Sequence, residues 1–110
     1  MLFPDELRDI VRRINAGLAI ALPGATARYV AADDDTTDDD IEIKTADGRT
    51  FPISLQIGDS YFVVNESLYS ADGDLKAVRN LGHFRATQTA EAIALFIKSV
   101  STTAPIRVRA

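Results

Sequence analysis

Three short turns built of glycine and aspartate divide the middle of this chain, and they restrict its fold more than any other feature. Asp47-Gly48, Gly58-Asp59 and Asp72-Gly73-Asp74 supply the residue types that tolerate the backbone conformations of tight hairpin loops. The segments between them alternate. Ile41-Glu42-Ile43-Lys44-Thr45 switches between apolar and polar at each step, and Phe51, Ile53, Leu55 and Ile57 take every second position of the next segment. A period of two is the signature of a strand with one buried face. Strands joined by tight turns pair antiparallel with their neighbours. Pro52 has no N–H to give to a ladder, so it predicts an edge position or a bulge within its strand.

Two further strands are expected at Thr26–Ala32 and Leu75–Leu81. Tyr61-Phe62-Val63-Val64 differs from the rest. Four consecutive apolar side chains predict a strand covered on both faces, either by its own chain or by a partner on the outer face.

Helices are expected at both ends. Over residues 4–22, Leu7, Ile10, Val11, Ile14, Leu18 and Leu22 recur at three- and four-residue spacing, with Arg8, Asp9, Arg12, Arg13 and Asn15 on the other side. Pro4 suits the first helical turn, Asp5 and Glu6 suit the positive end of the helix dipole, and Pro23-Gly24 stops the helix. A second helix is expected from Thr87 to Val100, capped by Thr87 or Thr89, with Ile93, Phe96, Ile97 and Val100 as its apolar stripe. Pro105-Ile106-Arg107-Val108-Arg109 alternates, as an edge strand or a frayed tail. The expected architecture is one α+β domain over residues 1–110. It has a four- to five-stranded antiparallel sheet in the order α-β-β-β-β-β-α, with both helices packed on one face.

Length and composition set the function classes. With 110 residues, 46% of them hydrophobic, the chain can bury a core without disulfides or a metal. It has no cysteine, which excludes thiolate metal sites and cysteine nucleophiles. No apolar run is long enough for a transmembrane helix, and the start of the chain lacks the basic region of a signal peptide, so a cytoplasmic location is expected.

Charge is unevenly distributed. Residues 1–74 hold 15 acidic and 6 basic side chains, a net −9, whereas residues 75–110 hold 1 acidic and 6 basic, a net +5. Six of the carboxylates fall in Asp33–Asp40; mutual repulsion keeps such a stretch in water. Read as a calcium loop from Asp33 or Asp34, it lacks the glycine and glutamate an EF-hand needs at the sixth and twelfth positions. No metal site is expected. The acidic balance argues against nucleic acid, which needs clustered Lys and Arg.

Chemistry-bearing motifs are scarce. His83 is the sole histidine, so multi-histidine metal sites are excluded. No Gly-x-Ser-x-Gly elbow, phosphate loop or dinucleotide fingerprint occurs. Neither catalytic residues nor a cofactor are expected. Two candidate sites remain. His83, Arg85 and Thr87 precede the second helix and are expected to offer an anion its N-terminus, with Arg79 nearby. Tyr61, Phe62, Val63, Val64, Leu68 and Tyr69 are expected to form an interface with another protein or a second copy of the chain. The function expected first is a non-catalytic, adaptor or chaperone-like interaction domain, possible as a homodimer. The alternative is a small-molecule or anion-binding protein, or an enzyme, using the His83–Arg85 region.

Overall fold

A computed structural model describes residues 4–31 and 39–106. Helix α1 spans Pro4–Ala21, five strands follow at Thr26–Val30 (β1), Asp39–Lys44 (β2), Thr50–Ile57 (β3), Tyr61–Tyr69 (β4) and Leu75–Arg85 (β5), and a 3₁₀ turn at Ala86–Gln88 leads into helix α2, Thr89–Ser101. The strands form one antiparallel sheet in the spatial order β1-β2-β3-β4-β5. This is the expected α+β arrangement, five strands between two helices.

Helix α1 ends one residue before the expected boundary because Leu22 precedes proline, and Gly24 follows at φ 94°. The loops at Gly48 and Gly73 take φ 86° and 89°, the positive values that single out glycine there. Pro52 sits in a central strand, and its neighbourhood explains how a ladder tolerates it. The β2–β3 register shifts between Glu42 and Lys44, while β4 pairs with β3 only from Ile53 onward. The missing N–H therefore falls in a bulge.

Alternation sorts the strands into two faces. Ile41, Ile43, Phe51, Ile53, Leu55, Ile57, Phe62 and Val64 point to the covered side, where they meet Ile10, Ile14 and Leu18 of α1 and Ala92, Ile93, Phe96 and Val100 of α2. The helices approach one another closely at Gly17, where an added Cβ would lie 2.5 Å from the Ile97 Cδ1. Asn15 of α1 accepts a hydrogen bond from the Ala27 N–H at 2.8 Å, tying the helix to β1. At the far end, Thr50 and Ile106 exchange two backbone hydrogen bonds of 2.8 Å, so the C-terminal segment adds a single bridge to β3. The rest of the strand expected at Pro105–Arg109 lies outside the described residues, as does most of the acidic stretch, Asp33–Asp38.

Other boundaries differ from expectation as well: β2 runs from Asp39 to Lys44 rather than Ile41 to Thr45, and β4 continues past Val64 to Tyr69. β1 ends at Val30 rather than Ala32, with Ala31 already outside the ladder and Ala32 outside the described residues. β5 runs four residues past Leu81, through Gly82 to Arg85, because a bulge at Leu81 restores its pairing: Val64 faces Gly82 while Asn65 faces Asn80. Helix α2 starts at Thr89, not Thr87, since Thr87 is taken up in the 3₁₀ turn. Neither threonine caps it. Gln88 occupies the cap position without a side-chain cap, and Thr89 donates its hydroxyl to the Ala86 carbonyl.

Candidate functional site

The extension of β5 decides the fate of the anion-site residues. His83 pairs with Val63 and Arg85 with Tyr61, on the face of the sheet away from the helices, whereas Phe62 and Phe84 pair on the covered face. His83 stacks on the Tyr61 ring with centroids 5.3 Å apart. Thr87 stands in the 3₁₀ turn. His83 and Arg85 thus share the open face of β5, two residues apart, and the Arg85 N–H donates to the Gln88 Oε1 at 2.9 Å, at the cap of the 3₁₀ turn that leads into α2. Arg79 is engaged elsewhere, in an ion pair with Glu66 across the β4–β5 ladder. Among the described residues no three His, Asp or Glu side chains come together to hold a metal ion.

The six residues expected to form an interface divide into three groups. Phe62 and Val64 are buried in the core beneath the helices. Val63 faces the open side yet is only 7% exposed. Its cover comes from its own sheet: the Tyr61–His83 stack lies to one side, and the Asn65 amide donates to the Gln56 Oε1 at 2.9 Å on the other. Tyr61, half-buried, lies against Gly58, whose backbone leaves room for the ring. The apolar run is therefore covered on both faces by its own chain, and it presents no apolar surface at Val63.

Leu68 and Tyr69 form the third group, and they belong to a larger feature. The ladder between β3 and β4 stops at Ile53–Glu66. Beyond that row, β4 and β5 continue as a two-stranded ribbon in which Ser67 faces Val78, Leu68 faces Ala77 and Tyr69 faces Leu75. The Glu66–Arg79 ion pair stands at its base and a Gly73 turn closes its tip, with the Ser70 N–H donating to the Asp74 carbonyl at 2.8 Å. Every residue from Ala71 to Asn80 is exposed. Leu68 (40%), Tyr69 (37%), Leu75 (59%) and Val78 (56%) are four of the six large hydrophobic side chains left exposed among the described residues. Tyr69, Leu75 and Val78 share one face of the ribbon by register, while Leu68 lies on the other.

Leu75 and Val78 were not singled out in the sequence, where they lie in a strand expected at Leu75–Leu81 with no face assigned. The signal that points to them is the length mismatch between neighbouring strands: β3 has 8 residues, β4 has 9 and β5 has 11. No helix among the described residues is long and apolar enough to cross a membrane. Compared with protein-family models, with characterised proteins and with solved structures, the chain matches none.

Proposed function

We propose that this domain is a non-catalytic protein-interaction module, adaptor- or chaperone-like, that docks its partner on the β4–β5 ribbon and works in the cytoplasm. The observation that carries the reading is the apolar content of a ribbon with no packing partner among the described residues. A two-stranded ribbon standing alone in water is marginal, and large apolar side chains clustered on one are characteristic of surfaces that a partner covers. Tyr69 is well suited to such a surface, because its ring buries area while its hydroxyl stays wet. The partner is another protein or a second copy of the chain.

The test pairs capture with a surface variant. Wild-type protein and the double variant Leu75→Ser/Val78→Ser are used as baits, with melting temperature and oligomeric state measured for both. Exposed substitutions of this kind change stability by only about 0.5 kcal/mol, so the fold is expected to survive. A partner, or a dimer, present with the wild type and lost with the variant supports the reading. Identical capture and identical oligomeric state for the two proteins sink it.

A further inference from the structure

We propose that the free edge of β5 accepts an extended, acidic segment of another protein as a sixth strand of the sheet. The inference rests on the ribbon being a docking surface and adds what docks there and how. β5 is the longest strand and lies at the edge of the sheet, and among the described residues no strand pairs with its outer side, where only the Arg85 N–H at its end is held, by the Gln88 Oε1 at 2.9 Å. An edge strand presents unpaired N–H and C=O groups at regular spacing, and main-chain pairing to an added strand is a common mode of peptide recognition. The opposite edge is a poorer template: β1 has 5 residues, and its Ala27 N–H is committed to Asn15.

Charge identifies the occupant. β5 carries Lys76, Arg79 and Arg85 and no carboxylate, in a chain whose net charge is −4. Cations on an edge strand ordinarily guard against pairing with a copy of the same strand. Here that repulsion sets Lys76 and Arg85 against their counterparts if two β5 edges meet, which disfavours the second copy. The same cations favour a strand rich in Glu and Asp, since complementary charge speeds encounter and like charge rejects wrong partners. Arg79 is already matched by Glu66, so Lys76 and Arg85 are the pair left to select the segment. The face away from the helices also sets a pattern along β5. Leu75 and Val78 stand at the hairpin end, His83 and Arg85 at the other. A matching segment has apolar residues at one end of its facing side and carboxylates at the other.

The probe is a synthetic peptide about as long as β5 whose facing side carries Val at one end and Glu at the other, with Thr on its opposite side, and with two controls: Lys in place of Glu, and N-methylation at alternate backbone positions. Binding is followed by backbone amide shifts and hydrogen exchange of ¹⁵N-labelled full-length protein. The expected result is shifts and slowed exchange confined to Lys76–Arg85, produced by the Glu peptide alone and weakened by salt. In the double variant Lys76→Glu/Arg85→Glu the affinity is expected to fall about tenfold or more. No response at β5, an equal response to the Lys or N-methylated peptide, or an unchanged affinity in the double variant overturns the proposal. So does tighter binding of a single-stranded oligonucleotide at the same amides, or a dimer paired edge to edge through β5. Loss of partner capture in Leu75→Ser/Val78→Ser with no peptide response at β5 leaves the docking surface standing and removes strand addition alone. Unchanged capture in that variant, with a peptide response at β5, removes the ribbon reading instead.

Discussion

The phenol of Tyr29 donates a hydrogen bond to the Asp39 carboxylate at the outer end of the β1–β2 hairpin. That bond exists only while the phenol keeps its proton. The hydrogen bond, then desolvation, then the nearby negative charge push the Tyr29 pKa up from 10.0 to about 12. A group whose pKa is raised on folding contributes stability that is fully present below its unfolded value and is lost as pH climbs through the folded one. Stability from this contact is therefore complete below pH 10 and disappears towards pH 12. The ring is more than a third exposed, so solvent screening keeps the contribution modest. Tyr29→Phe is expected to remove a tyrosinate step near pH 12 from an absorbance titration and to flatten the fall in melting temperature over that interval. A variant that titrates and melts like the wild type there would show that the hydrogen bond does not hold the proton.

At the scale of elements, the ribbon depends on one backbone conformation. Gly73 has φ 89°, a region that costs an L-residue about 1–2 kcal/mol. Gly73→Ala is expected to loosen the ribbon by about 1 kcal/mol, because alanine cannot adopt the turn without strain. The ribbon has no third strand beside it, so this loss is expected as local opening. Amide exchange from Ser67 to Val78 should speed up about fivefold while that of Leu55, in the core, hardly moves; equal acceleration at both sites would mean the ribbon unfolds only with the whole domain. The same element shows where sequence reading stops. The turns and alternating strands were legible because glycine, aspartate and period two are local signals, and α1 was legible from its stripe and its Pro23-Gly24 stop. The end of β5 was not. Gly82 breaks the apolar pattern, and the bulge at Leu81 inverts which residues face inward, a fact held in the pairing with β4 rather than in either strand alone. The cover of Val63 was hidden for the same reason, since Tyr61, His83, Gln56 and Asn65 become its neighbours only through register. Leu68 and Tyr69 were legible as candidates, but their exposure follows from where β3 ends.

At the scale of the whole molecule, one buried layer joins all the elements, and the radius of gyration of 13.4 Å is that of a single folded unit of this size. Phe96 of α2 is fully buried in a cluster drawn from both helices and from strands β2, β3 and β4. Its ring thus lies where helix-to-helix and helix-to-sheet packing meet, and a cavity there cannot be assigned to one element. Phe96→Ala is expected to cost about 3–5 kcal/mol, against a total of about 5–15 kcal/mol for a domain of this kind. At roughly 4–8 °C per kcal/mol the melting temperature should fall by at least ~12 °C. Because the layer is shared, helical ellipticity and tyrosine fluorescence should report the same transition in wild type and variant, as two-state unfolding requires. Tyr29, Tyr61 and Tyr69 all lie in the sheet, so the two signals follow helices and sheet separately. Divergent midpoints in the variant would show that the sheet holds together without α2, and that Phe96 fastens one helix to a sheet stable by itself.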